Sequence, residues 1–472
     1  MSTIDALATG FSLDLIGSTQ EEISSVAISS HHIRPGGLFI AVQGAKSHGL
    51  DHLQDAVDRG AVAVLSDRAS NTELPQLIHP NPRQIAGELS AMVYGTAGLG
   101  LKVFGVTGTN GKTSTSIFLY RLLEQMGVPS GLSSSAMSLV AGKAVTGDLT
   151  TPEAPRLHWL MREMSNHGAR AVVIEVSAQA LVRNRVDGVV FDVSGFTNLS
   201  RDHLDDFDSM QSYLQAKSRL FSSNLSRHCV INCEDAFGQQ MLDAVQSPAV
   251  GIGEGLDYQV KENNGNLKIA GKNHLDTKTD VGPLMSKNLG LAIVMLLEAG
   301  FEAERIAAAV ESADLTVPGR LQRVTNSAPA VFIDYAHTPA AVAAACEEVS
   351  RIYPRFTLVL SASGDRDAGK RVEMGLAGGK LAANVVVTDQ HPRSEDPALI
   401  RGAVLSGLLQ QLPPERVFEV ADPGDAIAKA LDLAQSGEAI LWCGPGHLKY
   451  REVKGEKIPF DAIEVTKAAL KI

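Results

Sequence analysis

Cysteine is scarce. Four in 472 residues (Cys229, Cys233, Cys346 and Cys443) are too few and too scattered for a disulfide framework. Cys229 and Cys233 have no second Cys or His pair at finger-like spacing, so free thiols in a reducing compartment are expected. No apolar run reaches the ~18 residues of a membrane span, and no membrane insertion is expected. The first residues, MSTIDALATGFSLDLIG, lack a basic stretch followed by an apolar core, so no signal peptide is expected and a cytoplasmic location is. Positive charge is also short: 42 Lys and Arg stand against 53 Asp and Glu, a net charge of −11. That disfavours nucleic acid and anionic membranes as partners. It leaves room for anionic small ligands, which loops and helix ends can hold locally.

What is present is apolar mass: 44% hydrophobic and 20% charged residues, enough for several cores. At ~100–200 residues per domain the length predicts about three. Apolar β-branched runs alternate with helix-like stretches, the pattern of α/β units on parallel sheets. Composition breaks suggest three domains. The first, residues 1–98, is a smaller α/β domain with strands in LFIAV (38–42) and AVAVLS (61–66). The second, residues 99–320, is a central P-loop-type parallel-sheet domain with AVVIEV (171–176) and HCVIN (228–232), and with hairpins or loop over 261–280. The third, residues 321–472, is Rossmann-like, with AVFIDYA, FTLVLSA, NVVVTD and AILWCG. Polar motifs sit just after these strands, as at Glu175, Asp334, Asp389 and Gly444. Open parallel sheets bind ligands at the carboxyl ends of their strands, so a cleft between the second and third domains is the expected site.

KVFGVTGTNGKTSTS places Gly108, Thr109, Asn110, Gly111, Lys112, Thr113 and Ser114 between a strand and an amphipathic helix. Glycines admit backbone N–H groups to phosphate oxygens, Lys112 can reach the β- and γ-phosphates, and the Thr113 hydroxyl can ligate Mg²⁺. The eight-residue phosphate-loop template wants a Gly at 106, where this chain has Val106.

That loop resembles the ATP loop of the Mur ligase family, the amide-forming synthetases of peptidoglycan. LTTPEAP, EVSAQALVRNRVDG, FTNLSRDHLDDF, YLQAKSRLF, VPGRLQ, IDYAHTP, SGDRDAGKR and DQHPRSEDP follow in the family's order along essentially the whole chain. They look like the branch that adds the third peptide residue to UDP-N-acetylmuramoyl-dipeptide. The resemblance implies ATP-driven amide formation through an acyl phosphate, with ATP and Mg²⁺ bound in the central domain. It implies Glu175, His203 and a carbamylated Lys217 as metal-binding catalytic groups beside Lys112 and Thr113. Asn288, Arg320, Asp334 and His337 would meet the nucleotide, and Lys370 and Arg371 could neutralise phosphates. Ser30, Thr150, Thr151, Ser177 and Arg185 would contact the UDP-muramoyl-dipeptide, and Asp389, His391, Arg393 and Gly444 the incoming diamino acid. A monomer is expected.

The chain also departs from the family pattern. The family's DSR reads Ser29-Ser30-His31, and SSH after the metal Glu reads Ser177-Ala178-Gln179. Leu284 and Met285 replace Phe and Asn before Asn288. DNPR reads Gln390-His391-Pro392-Arg393, and GKGHE ends in Leu448. Arg393 favours meso-diaminopimelate, whose distal carboxylate it would bind. Leu448 removes a carboxylate partner for an amino group, and lysine, ornithine or another diamino acid is the alternative. Rival expectations are a folylpolyglutamate-synthetase-type ligase and a silent Mur-like scaffold.

Overall fold

The computed structural model describes residues 2–17, 20–44, 47–145, 149–202, 206–325 and 328–471. Three main sheets follow one another along the chain. The first has five strands in the order Asp14–Ile16, Gln76–Ile78, Ala61–Ser66, Gly37–Ile40, Ser25–Ala27. All its pairings are parallel except that of the first two strands. Helix Pro82–Tyr94 closes this unit; Pro82 starts it and Gly95, at φ +59°, ends it in the left-handed conformation open to glycine. The Tyr94 hydroxyl accepts the Val26 N–H at 3.0 Å, tying the helix back to the sheet edge.

The central sheet has eleven strands. Its parallel heart runs Ser130–Ser133, Ala171–Glu175, Lys102–Thr107, Phe191–Phe196, Ser226–Asn232, Ala249–Ile252. Successive residues of a strand face opposite sides. Accordingly Phe104 and Val173 join one buried cluster with helices Lys112–Gln125 and Pro283–Glu298, while Val103, Val172 and Ile174 join another with helix Ala154–Asn166. Burial on both faces explains the unbroken apolar runs of these strands. The stretch 261–280, expected as hairpins or loop, lies mostly in an antiparallel meander of Tyr258–Asn263, Asn266–Gly271 and Leu275–Lys278. Two short strands at the other edge, Ser138–Val140 and Lys143–Val145, were not legible in the sequence, because three residues carry too little periodicity.

The third sheet orders Gln322–Arg323, Ala330–Asp334, Ala439–Cys443, Phe356–Leu360, Asn384–Val387, Val417–Glu419, parallel after its first pairing. It alternates in the same way: Leu358, Leu360 and Leu441 face one cluster, Val359, Ile440 and Trp442 the other. A two-stranded hairpin, Tyr450–Val453 with Glu456–Pro459, stands beside it. The architecture is thus the α/β, three-part arrangement expected. Among the described residues no helix is long and apolar enough to cross a membrane.

Phe104 is wholly buried at the middle of the central sheet. Phe104→Ala should lower the unfolding free energy of the central unit by ~3–5 kcal/mol, read as a lower midpoint in urea denaturation at unchanged slope.

Candidate active site

The carboxyl ends of the central and third sheets face one cavity of about 1000 Å³. Its floor is the turn between strand Lys102–Thr107 and helix Lys112–Gln125. Gly108 has φ +145°, and a Cβ there would lie 1.8 Å from Thr197 Oγ1, so the turn admits only glycine. The segment 197–200 braces it. Asn198 accepts the Thr109 N–H through its carbonyl at 2.9 Å and the Asn110 N–H through its side chain at 3.1 Å. Thr197 donates to the Asn110 carbonyl at 2.6 Å. Lys112 Nζ curls back to the Gly108 and Thr109 carbonyls, at 3.0 and 2.8 Å. Asn288, on the neighbouring helix, packs against Gly111 closely enough that a Cβ there would sit 2.1 Å from its amide oxygen.

Glu175 ends its strand 1% exposed. Both its oxygens accept the Thr113 hydroxyl at 3.1 Å, and Ser135 adds its N–H at 2.8 Å and its hydroxyl at 3.0 Å. Arg320, in the segment that leads into the third sheet, donates to the same Thr113 oxygen at 3.3 Å and stacks over Tyr335. His447 reaches across likewise, its Nε2 2.9 Å from the Ser135 carbonyl. A second junction is ionic. Lys370 and His337 flank Asp202 at 3.3 and 3.6 Å, and Arg201 pairs with Glu373 at 2.8 Å. Lys217 is buried on the far side of the loop, donating to the Gly108 carbonyl at 2.7 Å with its ammonium over the Tyr213 ring. Burial pushes its pKa well below the ordinary lysine range, and the nearby Lys112 charge pushes the same way. Burial lowers Lys112 too, against the pull of Glu175 and Asp202.

Most of the residues singled out in the sequence meet here. Thr109 to Ser114, Thr150, Glu175, Ser177, Arg185, Asn288, Arg320, Asp334, His337, His391, Arg393 and Gly444 all line this cavity. Thr151 stands behind it, donating to the Glu175 carbonyl at 2.8 Å and accepting the Ser177 N–H at 3.0 Å. Asp334 plays a part the sequence did not suggest. Its oxygens each accept a backbone N–H, of Leu321 and Ala336, both at 2.6 Å, so it anchors the chain that carries Arg320.

Three of the expected residues are engaged by partners within the fold. Arg371 is held two-pronged by Glu395 at 2.7 and 2.8 Å and does not line the cavity. Asp389 pairs with Arg401 and does not line the cavity. Ser30 hydrogen-bonds Asp55, while its neighbours Ser29 and His32 line a second cavity. His203 lies outside the described residues. Among those described, no group of three or more His, Cys, Asp or Glu could hold a metal ion. The hard-oxygen pair Thr113 and Glu175 suits Mg²⁺ as two of its ligands, since that ion keeps several waters.

The second cavity, about 370 Å³, lies between the first sheet and helix Ala154–Asn166. Sequence reasoning missed its main groups. Trp159 is flanked by the guanidinium groups of Arg34 and Arg156, 4.7 and 4.0 Å from its ring centre. Leu149 lines both cavities, so they adjoin.

Comparison with known proteins agrees with this arrangement. Family descriptions match in chain order: the Mur ligase family catalytic domain over 22–97, the Mur ligase middle domain over 106–296 and the Mur ligase glutamate ligase domain over 319–446. A UDP-N-acetylmuramyl-tripeptide synthetase of Leifsonia xyli subsp. xyli is 40% identical over 484 residues, covering 98% of this chain and 94% of that protein. A UDP-N-acetylmuramoyl-L-alanyl-D-glutamate–2,6-diaminopimelate ligase of Streptomyces coelicolor is 36% identical, covering 95% and 93%. A solved structure of a ligase of that name superposes with a TM-score of 0.66 at 25% identity, over 97% of this chain and 96% of that one. With such relatives running along nearly its whole length, the chain belongs to the Mur ligase family.

Proposed function

We propose that this protein is an ATP-dependent, ADP-forming ligase. It joins an amino acid, meso-diaminopimelate, to UDP-N-acetylmuramoyl-L-alanyl-D-glutamate as the third peptide residue of a peptidoglycan precursor. The carrying observation is the junction at Thr113. A strand-end carboxylate, a phosphate-type loop and an arginine just before the third sheet meet there within 3.3 Å, facing one cavity. The names of the Leifsonia and Streptomyces relatives point the same way.

The reading divides the work at about residues 98 and 320. Between the first and second units, the cavity at Trp159 takes the uridine diphosphate end, with Arg34 and Arg156 as its cations. The contact at Leu149 lets the dipeptide run on into the larger cavity, past Thr150, Ser177 and Arg185. There the backbone N–H groups of Gly111 to Thr113 face the ATP phosphates at a helix start. Arg320, at the junction of the second and third units, and Lys370, from the third, add positive charge. Mg²⁺ held by Thr113 and Glu175 would offset the charge that builds on the phosphate oxygens. The substrate carboxylate takes the γ-phosphoryl group as an acyl phosphate, and the acceptor amine displaces phosphate to form the amide. Walls drawn from both sheets limit water, which would otherwise hydrolyse the acyl phosphate.

Lys217 fits its expected carbamylation chemically. A lysine amine adds carbon dioxide only when neutral, and burial favours the neutral form. Protein equilibrated with ¹³C-bicarbonate should show a carbamate carbon signal by NMR that is absent from Lys217→Arg; a wild-type spectrum without it, in active enzyme, contradicts the assignment.

With UDP-muramoyl-dipeptide, ATP, Mg²⁺ and meso-diaminopimelate, the wild type should release ADP and yield a product heavier by one acceptor residue. Lys112→Ala should lower that rate by ~10²-fold or more. A folded wild type that releases no ADP with diaminopimelate, lysine or ornithine would favour the silent-scaffold reading.

A further inference from the structure

Helix Pro283–Glu298 starts without a side-chain cap of its own. Gly282 stands before it with no side chain to offer, and Pro283 at its start has no N–H. The first helical N–H is therefore that of Leu284, and its partner comes from another unit. Glu348, on helix Pro339–Ile352 of the third unit, accepts it through Oε2 at 3.1 Å. The other carboxylate oxygen, Oε1, lies over Gly282, so close that a Cβ there would sit 1.8 Å from it. Gly282 has an ordinary φ of −68°, so what this position needs from glycine is room and not conformation.

Glu348 is 7% exposed, and a carboxylate so deep is costly unless something holds its charge. Arg351, one turn along its own helix, lies 3.5 Å away and is itself exposed. The helix start of the central unit supplies the rest, an N–H donor and the positive end of the helix. Glu348 does not line the large cavity, but the two helices it joins do. Leu284, Met285 and Asn288 face that space from one, and Ala341, Ala344 and Ala345 from the other. Asn288 is the residue that packs on Gly111 of the phosphate-type turn.

We propose that Glu348 is a positioning residue for the nucleotide: from the third unit it caps the helix that holds Asn288 against the phosphate-type turn. The inference rests on the ligase reading above, in that the large cavity takes ATP. Glu348 touches no ligand and acts through the backbone of Leu284. With the cap in place the first turn of the helix is fixed, and Asn288, one turn on, keeps its seat on Gly111. Without it the first turn loses its acceptor and frays, and the wall that Asn288 belongs to loosens.

Titration of the full-length protein with ADP and Mg²⁺ reads the effect without turnover. Glu348→Ala should weaken ADP binding about fivefold or more, the scale of a lost helix cap. Glu348→Gln keeps an oxygen for the Leu284 N–H and should stay within about twofold of the wild type. Gly282→Ala keeps the carboxylate but pushes it off the helix, and should weaken ADP as Glu348→Ala does. In an Asn288→Ala background Glu348→Ala should have little left to remove, so the two effects should not multiply. The KM for UDP-muramoyl-dipeptide should stay within about twofold in both Glu348 variants. Unchanged ADP affinity in Glu348→Ala, or effects that multiply with Asn288→Ala, overturn the proposal. So does equal weakening toward ADP and the UDP substrate, which marks a general loosening. If Glu348→Ala does not fold, Gly282→Ala decides, and unchanged ADP affinity there overturns the proposal. A wild type that binds no ADP fails the ligase reading and this proposal with it, whereas ADP binding indifferent to Glu348 fails this proposal alone.

Discussion

The Thr113 hydroxyl is where three parts of the chain are held in register. It donates to the carboxylate that ends strand Ala171–Glu175, and it receives the guanidinium of Arg320 from the segment leading into the third sheet. The glycine turn puts it there, because only a left-handed backbone at Gly111 can enter the helix at that angle. Asp334 then fixes Arg320 from behind by taking the Leu321 N–H. The cavity between the two sheets depends on this chain of contacts. So does its charge, since it gathers cations such as Lys112, Arg320 and Lys370 in a protein whose net charge is −11.

Several contacts between the central and third units are polar. Asp202 faces Lys370 and His337, Arg201 faces Glu373, and Glu348 accepts the Leu284 N–H at 3.1 Å. Charged pairs of this kind set orientation more than they add affinity.

The phosphate loop was legible because its chemistry is contiguous: glycines, lysine and threonine act together wherever a strand meets a helix. Glu175 was legible because a carboxylate at the end of a fully apolar strand needs a reason to be there. Both cavity-facing sheets were legible through unbroken β-branched runs. The engagement of Arg371, Asp389 and Ser30 within the fold was not legible, for one shared reason. Their partners Glu395, Arg401 and Asp55 come from other turns or helices, and only the folded chain shows that these side chains are already occupied. Trp159 and Glu348 were missed for the converse reason. Nothing near Trp159 in sequence announces Arg34, and Glu348 reaches Leu284 only because a helix of the third unit packs on one of the central unit.

The central claim is that one triphosphate is held jointly by the glycine turn of the second unit and by Arg320 at its junction with the third. A crystal grown with a non-hydrolysable ATP analogue and Mg²⁺ tests it directly. The account predicts phosphate density over the backbone N–H groups of residues 111–113, within hydrogen-bond reach of Arg320, with the metal against Thr113 and Glu175. Density for the nucleotide elsewhere, with that turn and Arg320 left as they stand, would contradict it.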